Sequence, residues 1–293
     1  MTTGLIQEIY NGNWRIEKSF ADGYLPLLKS FLDGNLSNQD FSHDRLESSP
    51  RYVTFKNGVY TLSSYGDYAS PEAAPSDSIA LLKVHGAITY YDQYCGSSGM
   101  STKTNLLDRM AQNPNINAIV LEIRSGGGEG FASQKFSNEI SKIEKPVIAF
   151  VEDYAMSAAY EIAAACDWIT ANTPSAVVGS IGTYITIADL EQYWKNEGIR
   201  LIEVYAQKSS DKNKDYYEAL KGNTSLVQAN ADTFNEFFLA EIKSGRGSRL
   251  TAGEETWGTG KTFFAEEALS LGLVDEIASF REVIQSLENS FKS

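Results

Sequence analysis

Cysteine and histidine are scarce in this chain, two of each among 293 residues. The cysteines are Cys95 and Cys166, and Cys166 falls in an apolar helical stretch. A disulfide framework is therefore not expected, and a reducing compartment fits. With no Cys or His cluster at ligand spacing, a metal site is not supported, and no cofactor is expected. Basic residues are outnumbered, 25 Lys and Arg against 38 Asp and Glu, for a net charge of -13. That balance argues against nucleic acid or an anionic membrane surface as the main partner, since both need a basic face. No apolar run approaches the roughly 18 residues that span a bilayer. The opening stretch MTTGLIQEIYNGNWRIEKSF lacks the basic-then-apolar order of a signal peptide. The expectation is a soluble cytoplasmic protein.

What the chain does have is apolar content, 42% of its residues, enough for one large domain or two small ones. Leu25, Leu28, Phe31 and Leu32 give the first 45 or so residues a partly helical spacing. The stretch YVTFKNGVYTL reads as a hairpin turning at Asn57-Gly58, and SYGDYASPEAAPSD reads as a linker. Beyond it the pattern changes. Short apolar runs (IALLKVHGAI, AIVLEI, PVIAFV, WITAN) alternate with helical stretches at 131–143 and 157–166. Such alternation predicts an α/β core. A long helix is expected from Leu226 to Lys243, and LVDEI closes the pattern as a last strand. No internal repeat or low-complexity tract is present.

The most informative stretch is PVIAFVEDYAMSAAYEIAAA, a buried strand, a short turn and a small-residue helix opening near Ser157. A serine there sits at the positive end of the helix dipole, beside N–H groups with no intrahelical partner. Those conditions suit a nucleophile and its oxyanion. Taken alone, they suit a plain helix cap better. One strand earlier, AIVLEI runs into Arg124, Ser125, Gly126, Gly127, Gly128, Glu129 and Gly130. A dinucleotide loop fails there, because Phe131 stands where the sixth position needs glycine. A tight turn and an oxyanion hole both remain open.

A nucleophile needs a base. His43 lies in the polar N-terminal region and His85 inside the apolar run LLKVHGAI, so a Ser-His-Asp triad is poorly supported. A lysine made neutral by burial is the alternative, and AQKSSDKNKD offers Lys208, Lys212 and Lys214. The same segment also reads as a solvated charged loop. Gly258-Thr259-Gly260-Lys261-Thr262 looks like the end of a P-loop, but Glu255 stands where the first glycine belongs.

Taken in order, these segments resemble the signal peptide peptidase A family of serine peptidases, including phage members that act in capsid maturation. The resemblance covers roughly residues 78 to 285. It rests on Ser125 to Gly128, similar to the family's Ser-Pro-Gly-Gly turn, and on Met156-Ser157-Ala158-Ala159-Tyr160, where the family places its nucleophile. Val178-Gly179-Ser180-Ile181-Gly182 and the closing Gly272-Leu273-Val274-Asp275 complete it. Gly126 replaces the family's proline, and Ser209 stands where a glycine often precedes the base.

The resemblance implies a Clp peptidase/crotonase-like spiral of ββα units over 78–285, with an N-terminal extension at 1–77 and a tail at 286–293. It implies a Ser-Lys dyad in which Ser157 attacks the scissile carbonyl. Lys212 ranks first as base, Lys214 second and Lys208 third. Gly128 or Gly127, with Ala158, would hold the oxyanion, and Ser180 would orient the lysine. The substrate would be a peptide or protein, in phage capsid maturation or cytoplasmic peptide degradation. Homo-oligomerisation is implied as well, since some members draw the lysine from a neighbouring subunit. A crotonase-type acyl-CoA hydratase or isomerase and a non-catalytic assembly scaffold are the competing readings.

Overall fold

The computed structural model describes residues 13–16, 49–56, 58–64, 70–92, 98–189 and 191–292. The helical spacing at Leu25 to Leu32, His43, Asn57 and Cys95 all fall outside them. Strands form where Val, Ile, Leu and Ala run together between turn residues. They are β1 (Asn13–Ile16), β2 (Arg51–Lys56), β3 (Val59–Leu62), β4 (Ser78–His85), β5 (Ile116–Ser125) and β6 (Gly127–Glu129). There follow β7 (Val147–Met156), β8 (Trp168–Ala171), β9 (Val177–Gly179), β10 (Tyr184–Ile185), β11 (Thr262–Phe264) and β12 (Glu276–Ile277). The helices are α1 (Met100–Gln112), α2 (Gly130–Ile140), α3 (Ala158–Ala164), α4 (Glu191–Asn196) and α5 (Lys214–Leu220). The later ones are α6 (Ser225–Arg246), α7 (Glu254–Trp257), α8 (Ala265–Ser270) and α9 (Phe280–Lys292).

The main sheet runs β11-β9-β7-β5-β4-β2-β3. Its centre, β4, β5, β7 and β9, is parallel, as crossovers through helices require. The expected hairpin is β2–β3, with Gly58 at φ 77° in its turn, and it joins the sheet antiparallel to β4. The stretch read as a linker is partly fastened: Asn113 Nδ2 donates to the Pro71 carbonyl at 2.6 Å and Asn115 Nδ2 to that of Ala74 at 3.1 Å.

Strand β7 changes partners along its length. Ile148 to Val151 pair with β8, and Tyr154 to Met156 pair with β9. The sheet therefore splays at Glu152 and Asp153, and β9 delivers its C-terminal end beside that of β7. The faces divide by alternation. Ile119, Leu121 and Ile123 of β5 lie in one core with Leu107 of α1, Phe136 of α2 and Ile162 of α3. Ala118 and Val120 lie in the other, under Val283, Ile284 and Leu287 of α9. Each such aliphatic side chain contributes about 1.5–3 kcal/mol on full burial. Among the described residues no helix is long and apolar enough to cross a membrane.

A second, three-stranded sheet stands apart, in the order β10-β1-β6. Strand β1 is antiparallel to both neighbours.

Candidate active site

Ser157 ends β7 and precedes α3 with φ 55° and ψ -123°. An L-residue in that half of φ brings its Cβ against backbone, at a cost of about 1–3 kcal/mol. Two sets of bonds hold it there. Its N–H donates to the Gly179 carbonyl at 2.7 Å, and its own carbonyl accepts from Tyr160 and Glu161 at 2.9 and 3.1 Å. The hydroxyl caps no helix N–H, so the plain-cap reading does not describe this serine. The residue is 1% exposed, packed among the fully buried Ala158, Ala159 and Tyr160. Tyr160 fixes the helix from behind, its hydroxyl donating to the Leu273 carbonyl at 2.7 Å. Burial raises the pKa of that phenol, which keeps it a neutral donor.

The glycine turn lies alongside. Ser125 of β5 pairs in parallel with Ala155 of β7, so Gly127 and Ser157 each sit two residues past a paired position. The Ser125 hydroxyl donates to the Gly86 carbonyl at 2.6 Å and accepts the Gly127 N–H at 3.1 Å. Gly127 takes φ 103°, open only to glycine at low cost. Gly128 is required for a different reason: a Cβ there would stand 2.1 Å from the Ile88 oxygen. That approach is set by the Ile88 N–H donating to the Gly127 carbonyl at 2.9 Å and the Glu129 N–H to that of Ile88 at 2.8 Å. Gly128→Ala is expected to destabilise by about 3 kcal/mol, because the obstacle is backbone that cannot step aside. Thermal unfolding checks this.

The third turn is the mirror of the first. Met156 pairs with Gly179, which sets Ser180, also at positive φ (51°), beside Ser157. The Ser180 N–H donates to the Lys261 carbonyl at 2.8 Å. Ser125, Gly127, Gly128, Ser157, Ala158 and Ser180 are thus brought to one end of the sheet by strand register.

The lysines are placed otherwise. Lys208, Lys212 and Lys214 are exposed, and none hydrogen-bonds to Ser157 in this single chain. Lys214 pairs with Asp211 at 3.3 Å. A lysine held down by burial does occur, at Lys103 of α1, whose amine is brought to about 8 by desolvation against an opposing effect of Asp92. Its Nζ donates to Ser98 at 2.8 Å. His85 is neither a base for Ser157 nor a core residue, but pairs with Glu152 at 3.3 Å. Glu129 and Glu161, the acids flanking the two turns, are engaged with the Tyr90 N–H and the Ser133 hydroxyl.

Sequence reasoning missed the part played by Ser125 and the Gly86 to Ile88 segment, which together hold the glycine turn in shape. The signal was present as Gly86 directly after an apolar strand and Ser125 at the end of the next one.

Comparison with known proteins follows the same segments. A family model described as Peptidase family S49 matches residues 139–292. The Methanocaldococcus jannaschii protein MJ0651, which carries a protease name, is 29% identical over 63% of this chain and 59% of its own length. Protease 4 of Haemophilus influenzae is 26% identical over 72% of this chain and 34% of its own. The chain thus spans about six tenths of the first relative and a third of the second. Among solved structures, a lysine-to-alanine mutant of the 1510-N membrane-bound stomatin-specific protease, in complex with a substrate peptide, is 21% identical. It aligns over 73% of this chain and 80% of that one, with a TM-score of 0.43. An enoyl-CoA hydratase/isomerase family member aligns over 75% of each chain, with 18% identity and a TM-score of 0.44.

Proposed function

The chain belongs to peptidase family S49, and from that premise we propose that it is a serine endopeptidase working through a Ser-Lys dyad. The observation that carries the reading is Ser157 itself, strained, uncapped and in register with a glycine turn whose shape is fixed from both sides. In the proposed step Ser157 Oγ adds to the scissile carbonyl while a neutral lysine takes its proton. The tetrahedral oxyanion is held by backbone N–H groups of Gly128 and Ala158. Gly128 is preferred over Gly127 because the Gly127 N–H already donates to Ser125. One such donor is worth about 10²–10³ in rate. The lysine then protonates the leaving amine, and water releases the acyl group from Ser157.

Lys212 is the proposed base, ahead of Lys214 and Lys208, and we place its meeting with Ser157 at a contact between two copies of the chain. Two facts support this. The lysine segment is exposed in the single chain, and just before it Ile199, Leu201, Ile202 and Val204 are exposed at 45%, 65%, 73% and 91%. Apolar side chains so open to water favour a covered state. Peptides or unfolded protein segments are the proposed substrates, with phage capsid maturation or cytoplasmic peptide degradation the proposed settings.

Lys212→Ala is expected to lower activity by about 10²–10⁴, the range for a general base, with no change in unfolding temperature, since an exposed side chain holds little of the core. Mixing Ser157→Ala and Lys212→Ala proteins should then restore part of the activity, each supplying what the other lacks. Full activity in both Lys212→Ala and Lys214→Ala would remove the dyad. Incubation with a fluorophosphonate from mildly acidic to alkaline pH tests the nucleophile. Labelling should rise towards alkaline pH, as a neutral-amine base requires, and should vanish in Ser157→Ala. Unlabelled, folded, oligomeric protein would instead favour a scaffold, and coenzyme A binding a crotonase-type enzyme.

A further inference from the structure

The small sheet β10-β1-β6 joins the candidate site to a piece of chain from far upstream. Ile16 stands opposite Gly127, Arg15 opposite Gly128 and Trp14 opposite Glu129. On the other side Asn13 stands opposite Ile185 and Trp14 opposite Tyr184. A short extended segment is thus flanked by backbone on both edges, and one of those edges is the glycine turn beside Ser157. Pairing along both edges is how a protein reads an extended peptide through its main chain, largely without regard to sequence. A slot between two strands admits one strand at a time. Any peptide entering between β6 and β10 must therefore take the place of β1.

We infer that residues Asn13–Ile16 are an internal occupant of this peptide slot, which binds an external extended peptide only when β1 withdraws. The inference rests on the peptidase reading in taking the slot to lead to Ser157. The direction of β1 agrees with that role. It runs antiparallel to β6, from Glu129 towards Gly127. Strand β1 also takes no place in the main sheet, and its withdrawal leaves the β11-to-β3 order intact. An occupant of this kind lowers apparent affinity by the fraction of molecules in which the slot is open.

The test uses the full chain carrying Ser157→Ala, so that binding is read without turnover. The probe is a labelled synthetic peptide of residues 10–19, YNGNWRIEKS. A second protein adds Arg15→Pro and Ile16→Pro, which remove two backbone donors from β1 and disfavour its pairing. The probe should bind the proline protein at least about tenfold more tightly. Amides of Gly128 and Tyr184–Ile185 should exchange faster in the proline protein and regain protection when the probe is added. Equal probe affinity in both proteins, with unchanged exchange at both strands, would overturn the inference. An unchanged unfolding temperature shows that the proline protein is folded. A probe peptide carrying the same two prolines should fail to bind, and its binding as well as the parent peptide would also overturn the inference. The two readings separate cleanly. Tighter binding to the proline protein without fluorophosphonate labelling of Ser157 in the parent would retain the slot and reject the nucleophile. Labelling with equal binding would do the reverse.

Discussion

Ser157→Ala is expected to lower kcat/KM for peptide hydrolysis by at least about 10⁴, the scale on which loss of a catalytic serine is felt. The protein should remain folded. Alanine at φ 55° meets the same backbone crowding as serine, so the substitution adds no strain. The hydroxyl caps no helix N–H, so no helix is undone. Ala158, Ala159 and Tyr160 stay packed behind it, and the Gly179 carbonyl still accepts the N–H of residue 157. The unfolding temperature should stay within about 2–4 °C, the shift that 1 kcal/mol produces in a domain of this size class. Hydrolysis of a quenched peptide and calorimetry on the same sample check both halves. Activity within about tenfold of the parent would show that the serine is no nucleophile, however well the turn is built.

The largest expected loss of stability lies elsewhere, at Asp275. Arg246 ends α6 with its side chain fully buried, and Asp275 is 5% exposed. They meet twice, Nη1 to Oδ2 at 2.9 Å and Nη2 to Oδ1 at 2.7 Å. Arg246 Nε donates to the Gly272 carbonyl at 2.9 Å, and Asp275 Oδ2 accepts the Ile169 N–H of β8 at 2.7 Å. Arg249 Nε also lies 3.3 Å from Asp275 Oδ1, and the cluster ties α6, the Gly272 turn and β8 together, next to the Leu273 carbonyl that accepts from Tyr160. Asp275→Ala leaves a guanidinium buried with no counter-charge, for which about 3–5 kcal/mol is expected. Asp275→Asn should cost less, because an amide oxygen still accepts from Ile169. Replacing both partners by apolar residues of similar size should recover much of the loss, since the desolvation cost disappears with the charges. Denaturant unfolding of the singles and the double gives the coupling. A single-mutant cost below about 1 kcal/mol, the worth of an exposed pair, would mean that the surrounding structure opens to solvate the arginine.

Which of these features could be read from the chain depended on whether their cause was local. The strand, turn and helix around Ser157 were legible because an unbroken apolar run, a break and a run of small residues are each local signals. The β2–β3 hairpin was legible from its turn, and α6 from its period. The register that sets Ser180 beside Ser157 was not readable from periodicity, and the resemblance to a family named the residue without placing it. Strand β1 had no local signature. Asn13 to Ile16 is too short for a pattern, and its partners at Gly127–Glu129 lie far along the chain, where no local preference announces the pairing. The Arg246–Asp275 pair was invisible for the same reason. The segment 206–214 offered three lysines and no means of choosing among them, because a base is defined by what it faces.

The adjacent serines at φ 55° and 51° also bear on how this sequence can drift. Glycine adopts that backbone freely, so Ser157→Gly or Ser180→Gly relieves strain worth about 1 kcal/mol or more. A lineage selected for robustness alone would find those replacements early, since some serine codons lie a single nucleotide from glycine. Under the proposed dyad, a serine at either position is kept for its hydroxyl, against a standing thermodynamic bias. On that reading, a chain in which both had become glycine would be a sturdier protein and an inactive one.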